Sequence, residues 1–356
     1  LAKPRGADRG DPSRHSLQRY RLHRDERPGG GCRRRGRRTR RDRRRLEGPL
    51  DDRFRVARAR RIETVSSAQP GRVLIVRLSS LGDVIHTIPA VVALRRGLPD
   101  ANLAWVVEGP YRELVEICAP VDAIVVSNTR RWAHAVHSRE TWTASRHFLR
   151  ELRLHGRDAV AIDFQGLVKS AAIARASGAS ERFGFDARAI REPLARVFLN
   201  RTVAVDGSEH VVDQNRALAR AAGAAGIPAD FSPIAAFPGD RSGRLRGFGG
   251  AVVIHAGAGH PRKLWPEERF ADLGRIFRGR GMRVVVVWGP GEREVATRIA
   301  AGAGAELAPD TDLRELAFLL AGARLVVSAD SGPLHLAAAL GVPVVGLYGP
   351  TSASRN

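Results

Sequence analysis

Residues 72–97 read RVLIVRLSSLGDVIHTIPAVVALRRG, and this stretch is the strongest indication of the fold class. The run at 72–78 is almost continuously apolar, which is typical of a strand buried on both faces. A short turn, SSLGD, follows at 79–83, and the segment 84–97 then has the composition of a helix. A buried strand that leads through a tight turn into a helix predicts a parallel sheet covered by helices.

The same pattern recurs along the chain in two cycles. The first cycle has further predicted strands at 102–107, 123–126 and 158–163, and the second has predicted strands at 251–256, 282–289, 325–330 and 343–349. Residues 227–250, between the cycles, are rich in Pro, Gly and polar residues, which indicates a linker. We therefore predict an α/β protein with domains at 71–226 and 251–356, whose ligands bind in a cleft between the carboxyl ends of two sheets.

The composition excludes several classes of protein. Of the 356 residues, 43% are hydrophobic and 27% are charged, which is close to the globular average and argues against wholesale disorder. No apolar run reaches 18 residues, so we expect no transmembrane segment, and the N-terminus lacks the apolar stretch of a signal peptide. Cys32 and Cys118 are the only cysteines, which favours a reduced, cytoplasmic setting over a disulfide framework.

The positive charge is concentrated at the N-terminus. The chain carries a net charge of +22, and residues 1–70 hold 23 of its 59 basic residues but only 9 of its 37 acidic ones. The run RRRGRRTRRDRRR at 33–45 has no apolar period, so we expect it to be unfolded. It could be a nucleic-acid or anionic-lipid arm. We favour a mis-annotated start instead, because no aromatic residues interleave with the arginines and the first residue is Leu1, and we expect no nucleic-acid partner.

Asp83 is the candidate catalytic residue of the first half. It ends the turn after the first strand, where an acid can cap a helix or can act as a general base at the edge of a cleft. The residues alone leave these two roles open. Nothing near this turn resembles the GxGxxG fingerprint of dinucleotide-binding proteins.

The second half offers groups suited to a diphosphate. Arg262 and Lys263 follow a strand and a glycine-containing loop, although such residues are often merely solvated. Ser331 and Gly332 begin a helix whose free N–H groups could bind a phosphate. Glu292 could bind ribose hydroxyls or stabilise a helix start.

Two further side chains accompany the predicted anion site. Asp330 would repel a phosphate, so we expect it to recognise a sugar hydroxyl or a backbone N–H. His335 lies among apolar residues, where a hydrogen-bonded core histidine is the ordinary alternative to a catalytic one.

Taken together, five stretches resemble glycosyltransferase family 9, the bacterial heptosyltransferases, and most closely the heptosyltransferase I members of that family. The resemblance runs from about Arg72 to Thr351, with no counterpart for the Arg-rich leader. The stretches are RVLIVRLSSLGDVIHTIPA, AIDFQGLVKSA (161–171), REPLARVFLNR (191–201), RKLWPEERF (262–270) and SADSGPLHLAAALGVPVVGLYGPT (328–351).

The resemblance implies a GT-B fold, with two Rossmann-like domains whose parallel sheets face each other across a cleft. It implies inverting, metal-independent transfer of heptose from ADP-heptose to the Kdo sugar of Kdo-lipid A, with no cofactor. Asp83 would be the catalytic base. The implied donor-binding residues are Arg262, Lys263, Glu292, Asp330, Ser331, Gly332 and His335, and the implied acceptor-binding residues are Ser80, Gly82, Gln165, Lys169 and Arg191.

Such an enzyme would work in the cytoplasm, at the cytoplasmic face of the inner membrane. The chain departs from the family pattern at residues 256–259, which lack hydroxyl side chains, and in ending at Asn356, where the family continues into a closing helix. We therefore expect the second domain to be truncated. The alternatives are a heptosyltransferase II or another family 9 transferase with a different acceptor, an inactive nucleotide-sugar binder, and a nucleic-acid-binding protein that uses the leader.

Overall fold

A computed structural model describes residues 70–135 and 137–356, which contain two parallel sheets. The elements of the first half are β1 (Arg72–Val76), α1 (Leu81–Gly97), β2 (Asn102–Glu108), α2 (Arg112–Cys118), β3 (Ala123–Ser127), α3 (Thr129–His134), α4 (Arg139–Gly156), β4 (Val160–Asp163), α5 (Val168–Ala176), β5 (Glu181–Phe185), β6 (Arg201–Val203) and α6 (Val211–Ala221). The strand order is β3-β2-β1-β4-β5-β6, with all neighbours parallel, as in a doubly wound nucleotide-binding domain.

The second half repeats this plan with five strands. Its elements are β7 (Val252–His255), α7 (Glu267–Gly279), β8 (Val284–Val287), α8 (Arg293–Ala303), β9 (Glu306–Leu307), α9 (Leu313–Ala321), β10 (Leu325–Ala329), α10 (Gly332–Ala339) and β11 (Val344–Leu347). The strand order is β11-β10-β7-β8-β9, again parallel throughout. Each sheet therefore collects its strand ends, and the loops after them, at one edge.

The first strand is buried on both of its faces. Val73 and Ile75 pack into the same core as α1, whereas Leu74 and Val76 pack into the core beneath α4 and α5. Because side chains alternate across a strand, a continuous apolar run is required to fill both layers. This explains why the segment starting at residue 72 has no polar alternation.

The two halves meet where α1 and α10 begin. A Cβ atom added to Gly82 would lie 2.5 Å from His335 Cδ2, and one added to Gly332 would lie 2.8 Å from the Leu81 Cβ atom. At the start of each helix, a glycine therefore lies in close contact with a side chain of the other helix. The start of α1, which carries Asp83, is in this way held against the start of α10.

The predicted fold class is confirmed, and all eight predicted strands are present. The prediction missed the short strands β5, β6 and β9, and α1 begins at Leu81 rather than at residue 84, because the turn itself supplies the first helical residues. Residues 227–250 contain only short 3₁₀ turns, and within them Ile234 and Phe237 are fully buried. The domain boundaries themselves stay predictions.

The Arg-rich leader, which we predicted to be unfolded or a mis-annotated start, lies outside the described residues. Within the described part of the chain, no helix has the length and apolarity needed to cross a membrane.

Candidate active site

Asp83 lies in the first turn of α1 and is held by two arginines. Its Oδ1 accepts hydrogen bonds from Arg77 at 2.6 Å and from Arg191 at 2.8 Å, and its Oδ2 lies 3.3 Å from a second nitrogen of Arg191. The backbone N–H of Ser80 also donates to Oδ2, at 3.3 Å. Asp83 therefore stabilises the start of the helix and is also bound by two cations, so its capping role is present alongside the proposed catalytic one.

The two arginines differ in how firmly they are held. The Arg77 side chain is 1% exposed and also donates to the Phe164 carbonyl, whereas the Arg191 side chain is 42% exposed. A buried guanidinium needs a counter-charge, and Asp83 supplies it, so Arg77 is part of the folded core. Arg191 reaches the same carboxylate from the solvent side, so it can be displaced without exposing a buried charge.

The surroundings keep Asp83 ionised. Burial alone would raise its pKa, but Arg77 and Arg191 outweigh burial and hold the pKa of Asp83 well below its usual range. Burial also lowers the pKa of Arg77. Asp83 is therefore ionised throughout the neutral range, as a general base must be, but the two cations also weaken its basicity while both are bound to it.

The remaining predicted acceptor residues lie at the same edge of the first sheet. Ser80 Oγ is 3.2 Å from Asp83 Oδ2. Lys169 Nζ donates to Thr129 at 2.9 Å and lies 3.5 Å from the buried Glu108. The Gln165 side chain is buried, and its Oε1 accepts from the Leu78 N–H at 2.9 Å, so only its NH₂ group is available to a ligand.

Across the contact between α1 and α10, Asp330 is the centre of a cluster of predicted donor-binding residues, which we call the donor-side cluster. Its Oδ2 accepts from Lys263 at 2.7 Å and from Thr351 at 2.6 Å, and its Oδ1 lies 3.2 Å from His335 Nε2. The hydrogen bond with His335, together with those from Lys263 and Thr351, outweighs burial and lowers the pKa of Asp330 below its usual range. The cluster ties together the loops after β7, β10 and β11.

Glu292 forms a second donor-side group with His255. Glu292 Oε2 lies 3.1 Å from His255 Nε2 and accepts from the Gly289 N–H at 2.9 Å. The hydrogen bond with His255 lowers the pKa of Glu292. A side chain at Gly257 would overlap the Glu292 carboxyl group, which explains why a residue without a Cβ follows β7 at this point. Glu292 remains partly exposed, so it can reach a ligand.

The start of α10 presents the predicted phosphate cradle. Ser331 is its N-cap residue, and its Oγ lies 3.2 Å from His255 Nδ1 and 3.0 Å from Ser328 Oγ. The N–H groups of the first turn of a helix carry partial positive charge and are suited to an anion. The Arg262 side chain is exposed and makes no ion pair within the described residues, so it is the one predicted donor residue that lies outside these clusters.

His335 joins the two sides of the site. It is hydrogen-bonded to Asp330 and contacts Gly82, the residue before Asp83. Its ring also packs edge-on against His86 of α1, with ring centroids 4.5 Å apart. Burial lowers the pKa of His86 to about 3, so that ring is neutral at physiological pH. A cavity of about 340 Å³ borders these two histidines. Through His335, the start of α1 that carries Asp83 therefore contacts the cluster around Asp330.

Several residues of the site were not singled out from the sequence. Arg77 is a charged residue inside an otherwise apolar strand pattern, and that exception was the available signal. Thr351 and Thr129 gave no signal, because a hydroxyl residue in a loop is ordinary. Among residues 70–135 and 137–356, no group of three or more His, Cys, Asp or Glu side chains is arranged to hold a metal ion.

Comparison with known proteins agrees with this geometry. A model of glycosyltransferase family 9 (heptosyltransferase) matches residues 145–356. Lipopolysaccharide heptosyltransferase 1 of Escherichia coli K12 is 37% identical over 289 residues, covering 79% of this chain and 88% of that protein. The protein of the same name from Pseudomonas aeruginosa is 37% identical over 286 residues, covering 79% of each chain.

Solved structures give the same result. The E. coli heptosyltransferase WaaC with ADP-2-deoxy-2-fluoro heptose superposes with a TM-score of 0.68 at 34% identity, covering 79% of this chain and 90% of that one. The complex of WaaC with ADP gives a TM-score of 0.69. Both the two-sheet GT-B-like architecture and the sequence similarity lead to one conclusion: the chain belongs to glycosyltransferase family 9, the heptosyltransferases.

Proposed function

We propose that this enzyme transfers L-glycero-D-manno-heptose from ADP-heptose to the Kdo sugar of Kdo-lipid A, with inversion at the anomeric carbon. The observation that carries the proposal is the contact between Gly82 and His335, because it brings the base candidate Asp83 to the donor-side cluster around Asp330. The similarity to heptosyltransferase 1 proteins over 79% of the chain supports the donor and the acceptor.

In the proposed reaction, Asp83 accepts the proton of the attacking acceptor hydroxyl. In the free enzyme, Arg191 donates hydrogen bonds to both oxygens of the Asp83 carboxylate. An acceptor hydroxyl must therefore first displace Arg191. An acceptor that carries carboxylates or phosphates offers Arg191 an alternative anion. Arg77 stays in place and keeps Asp83 ionised and oriented while the hydroxyl approaches.

The leaving group is ADP, whose diphosphate gains negative charge as the glycosidic bond breaks. Lys263 and the N–H groups at the start of α10 are the groups that would stabilise this charge. Glu292 is suited to ribose hydroxyls, and Asp330 is suited to the heptose hydroxyls. These charges are fixed in place before substrate binds, so the proposed mechanism assigns no step to a metal.

The acceptor also determines where the enzyme would act. Kdo-lipid A is a membrane lipid, so we place the enzyme in the cytoplasm at the inner-membrane surface. Heptosyltransferase II activity, the principal alternative, differs in its acceptor. In sequence, the relative of that name in E. coli K12 aligns over 26% of this chain, against 79% for heptosyltransferase 1 of the same organism, which favours the first acceptor.

The test is incubation of the purified enzyme with ADP-heptose and Kdo-lipid A, followed by mass spectrometry of the lipid. We expect a mass increase of one heptosyl residue and stoichiometric release of ADP. ADP-glucose in place of ADP-heptose is the donor control, and lipid A without Kdo is the acceptor control. Transfer only to an acceptor that already carries heptose would indicate heptosyltransferase II activity instead. No transfer to either acceptor would reject the proposal.

A further inference from the structure

Helix α4 exposes large apolar side chains that its amphipathic pattern does not bury. Phe148, Leu152 and Gly156 face the core. On the other side, Trp142 is 61% exposed and Leu154 is 62% exposed, and Leu149 is exposed as well. Burying side chains of this size is favourable, and a group of them exposed on one face indicates an interaction surface.

Arginines share this exposed side of the helix. The positions 142, 146, 149 and 153 are successively three or four residues apart, so the side chains of Trp142, Arg146, Leu149 and Arg153 follow one another along one stripe. We call this surface the α4 stripe; it consists of Arg139, Trp142, Arg146, Leu149, Arg150, Arg153, Leu154 and Arg157. The helix also carries two acids, Glu140 and Glu151, and Glu151 lies one turn before Leu154, at the border of the α4 stripe.

The arginines of the α4 stripe are not neutralised by the rest of the fold. Within residues 70–135 and 137–356, none of them pairs with a carboxylate, whereas Arg275 of α7 pairs with Asp272 and Arg298 of α8 pairs with Glu267. A solvated helix face normally mixes both signs of charge. The α4 stripe instead has one sign of charge and three large apolar side chains.

We propose that the α4 stripe is a docking surface for a bilayer that contains anionic lipids. Trp is favoured at the membrane interface, leucines enter the acyl boundary, and arginines bind lipid phosphates, so a bilayer satisfies all three residue types at once. A nucleic-acid duplex would pair with the arginines but would leave Trp142 and Leu154 uncovered. This inference rests on the proposed function in one respect, since the acceptor there is a lipid.

The position of the α4 stripe fits such an acceptor. Helix α4 follows α3, whose Thr129 contacts the predicted acceptor residue Lys169, and the far end of α4 lies against Arg72 at the start of β1. The stripe therefore begins on the acceptor side of the sheet. Near α5, the 3₁₀ turn Pro193–Phe198 exposes Leu194 and Val197 just after Arg191, which adds apolar surface beside the site.

The first experiment measures vesicle binding of the full chain in three forms. The stripe variant is Arg146→Glu/Arg150→Glu/Arg153→Glu, and the matched control, Arg269→Glu/Arg278→Glu/Arg280→Glu, makes the same charge change on and just after α7. With phosphatidylcholine vesicles containing roughly 30% phosphatidylglycerol, we expect the stripe variant to bind about a hundredfold more weakly than the control. The Arg-rich leader is identical in all three forms, so the difference reports α4. Equal binding by the two variants would overturn the proposal.

The second experiment observes Trp142 directly. Residues 1–70 contain no Trp, so quenching of tryptophan fluorescence by brominated lipids reports on the rest of the chain. We expect the wild type to be quenched in anionic vesicles and the conservative variant Trp142→Phe to lose most of that quenching while binding as tightly. Equal quenching of both proteins, or binding to duplex DNA that depends on the stripe without quenching by lipid, would contradict the bilayer as the partner.

Transfer assays separate this inference from the proposed function. With a water-soluble Kdo acceptor, we expect the stripe variant to match the wild type, and with Kdo-lipid A in vesicles we expect it to be slower. Vesicle binding through α4 without any heptose transfer would reject the proposed function and leave the docking surface standing. Transfer to vesicle-borne acceptor that is equally fast in both variants would reject the docking surface alone.

Discussion

Asp83 and Asp330 are two ionised carboxylates on opposite sides of the contact between α1 and α10. They differ in how firmly their hydrogen-bond partners are held. Asp83 is bound by Arg77, which is buried, and by Arg191, which is substantially exposed. Asp330 is 2% exposed and is bound by Lys263, Thr351 and His335 from three separate segments. Asp83 therefore has one partner, Arg191, that can turn into solvent. Loss of any partner of Asp330 would instead break the cluster.

This difference indicates different functions. A general base must offer a lone pair to an incoming hydroxyl, and Asp83 can do so once Arg191 moves. Asp330 holds Lys263 and His335 in fixed positions, which suits a group that preorganises charge for the donor. We therefore expect substitutions on the Asp83 side to affect turnover and acceptor use, and substitutions on the Asp330 side to affect donor affinity.

The largest effect is expected for Asp83→Asn. Loss of the base should lower kcat by about 10²- to 10⁴-fold, because the amide accepts no proton, while the affinity for ADP-heptose stays unchanged. ADP release at saturating substrates measures kcat, and calorimetric titration measures donor affinity. Turnover equal to that of the wild type would remove Asp83 from its role.

The same variant should also be less stable, because Arg77 loses its counter-charge. A broken buried ion pair costs about 3–5 kcal/mol of unfolding free energy. The double variant Arg77→Met/Asp83→Asn should recover most of this stability in denaturant unfolding and should remain inactive. Recovered turnover in the double variant would show that the loss in Asp83→Asn came from misfolding rather than from the missing base.

A smaller effect is expected for Lys263→Met. Methionine keeps much of the length of the side chain but removes its charge, so the Kd for ADP-heptose should rise by about ten- to a hundredfold. Removal of the ammonium should also raise the pKa of Asp330. Arg262→Met is the matched control, since the Arg262 side chain makes no ion pair in the described residues, and it should change the Kd less. An unchanged Kd in Lys263→Met, together with a large loss of kcat, would show that Lys263 acts in turnover rather than in donor binding.

Arg191→Ala should change acceptor use and pH dependence rather than donor affinity. Arg191 lowers the pKa of Asp83, so its removal raises that pKa toward the usual value. Activity requires the ionised carboxylate, and it is lost as pH falls through the pKa, so the acid limb of the kcat/KM profile, which reports the free enzyme with Arg191 bound to Asp83, should move to higher pH. The KM for the anionic acceptor should rise. A pH profile that coincides with that of the wild type would contradict this role.

The smallest effect is expected from a chelator. The proposed mechanism stabilises the leaving diphosphate with Lys263 and helix N–H groups, so EDTA should leave turnover unchanged. Activity that falls with EDTA and returns with added Mg²⁺ would require a metal at the diphosphate and would reduce the role assigned to Lys263.

Much of the fold could be predicted from the sequence because its signals are local. The apolar run of β1 must fill two core layers, and the turn at 79–83 must release the chain into a helix, so strand, turn and helix could each be predicted from a few neighbouring residues. The strands β5 and β6 were missed because they lie toward the edge of the sheet, where one or more faces need not be apolar. Residues 181 and 201, for example, are Glu and Arg.

The partners of the site residues could be predicted less well. Arg77 and Asp83 are only six residues apart, but most contacts of the candidates join segments far apart in the chain, as Arg191 with Asp83 and Lys263 with Asp330 do. His335 contacts Gly82 only because the two helix starts approach each other. Such contacts depend on the packing of the two halves, which leaves no periodic trace in the sequence.

The most direct test of the central claim is the anomeric configuration of the product. If Asp83 activates the acceptor hydroxyl on one face of the heptose while ADP leaves from the other, the single displacement must give a product whose anomeric configuration is opposite to that of the donor. Nuclear magnetic resonance of the heptosylated acceptor made by the wild-type enzyme measures this linkage. We predict a heptose linkage with the anomeric configuration inverted relative to the ADP-heptose donor, and a product that retains the donor's configuration would contradict the account of Asp83 as the base opposite the cluster around Asp330.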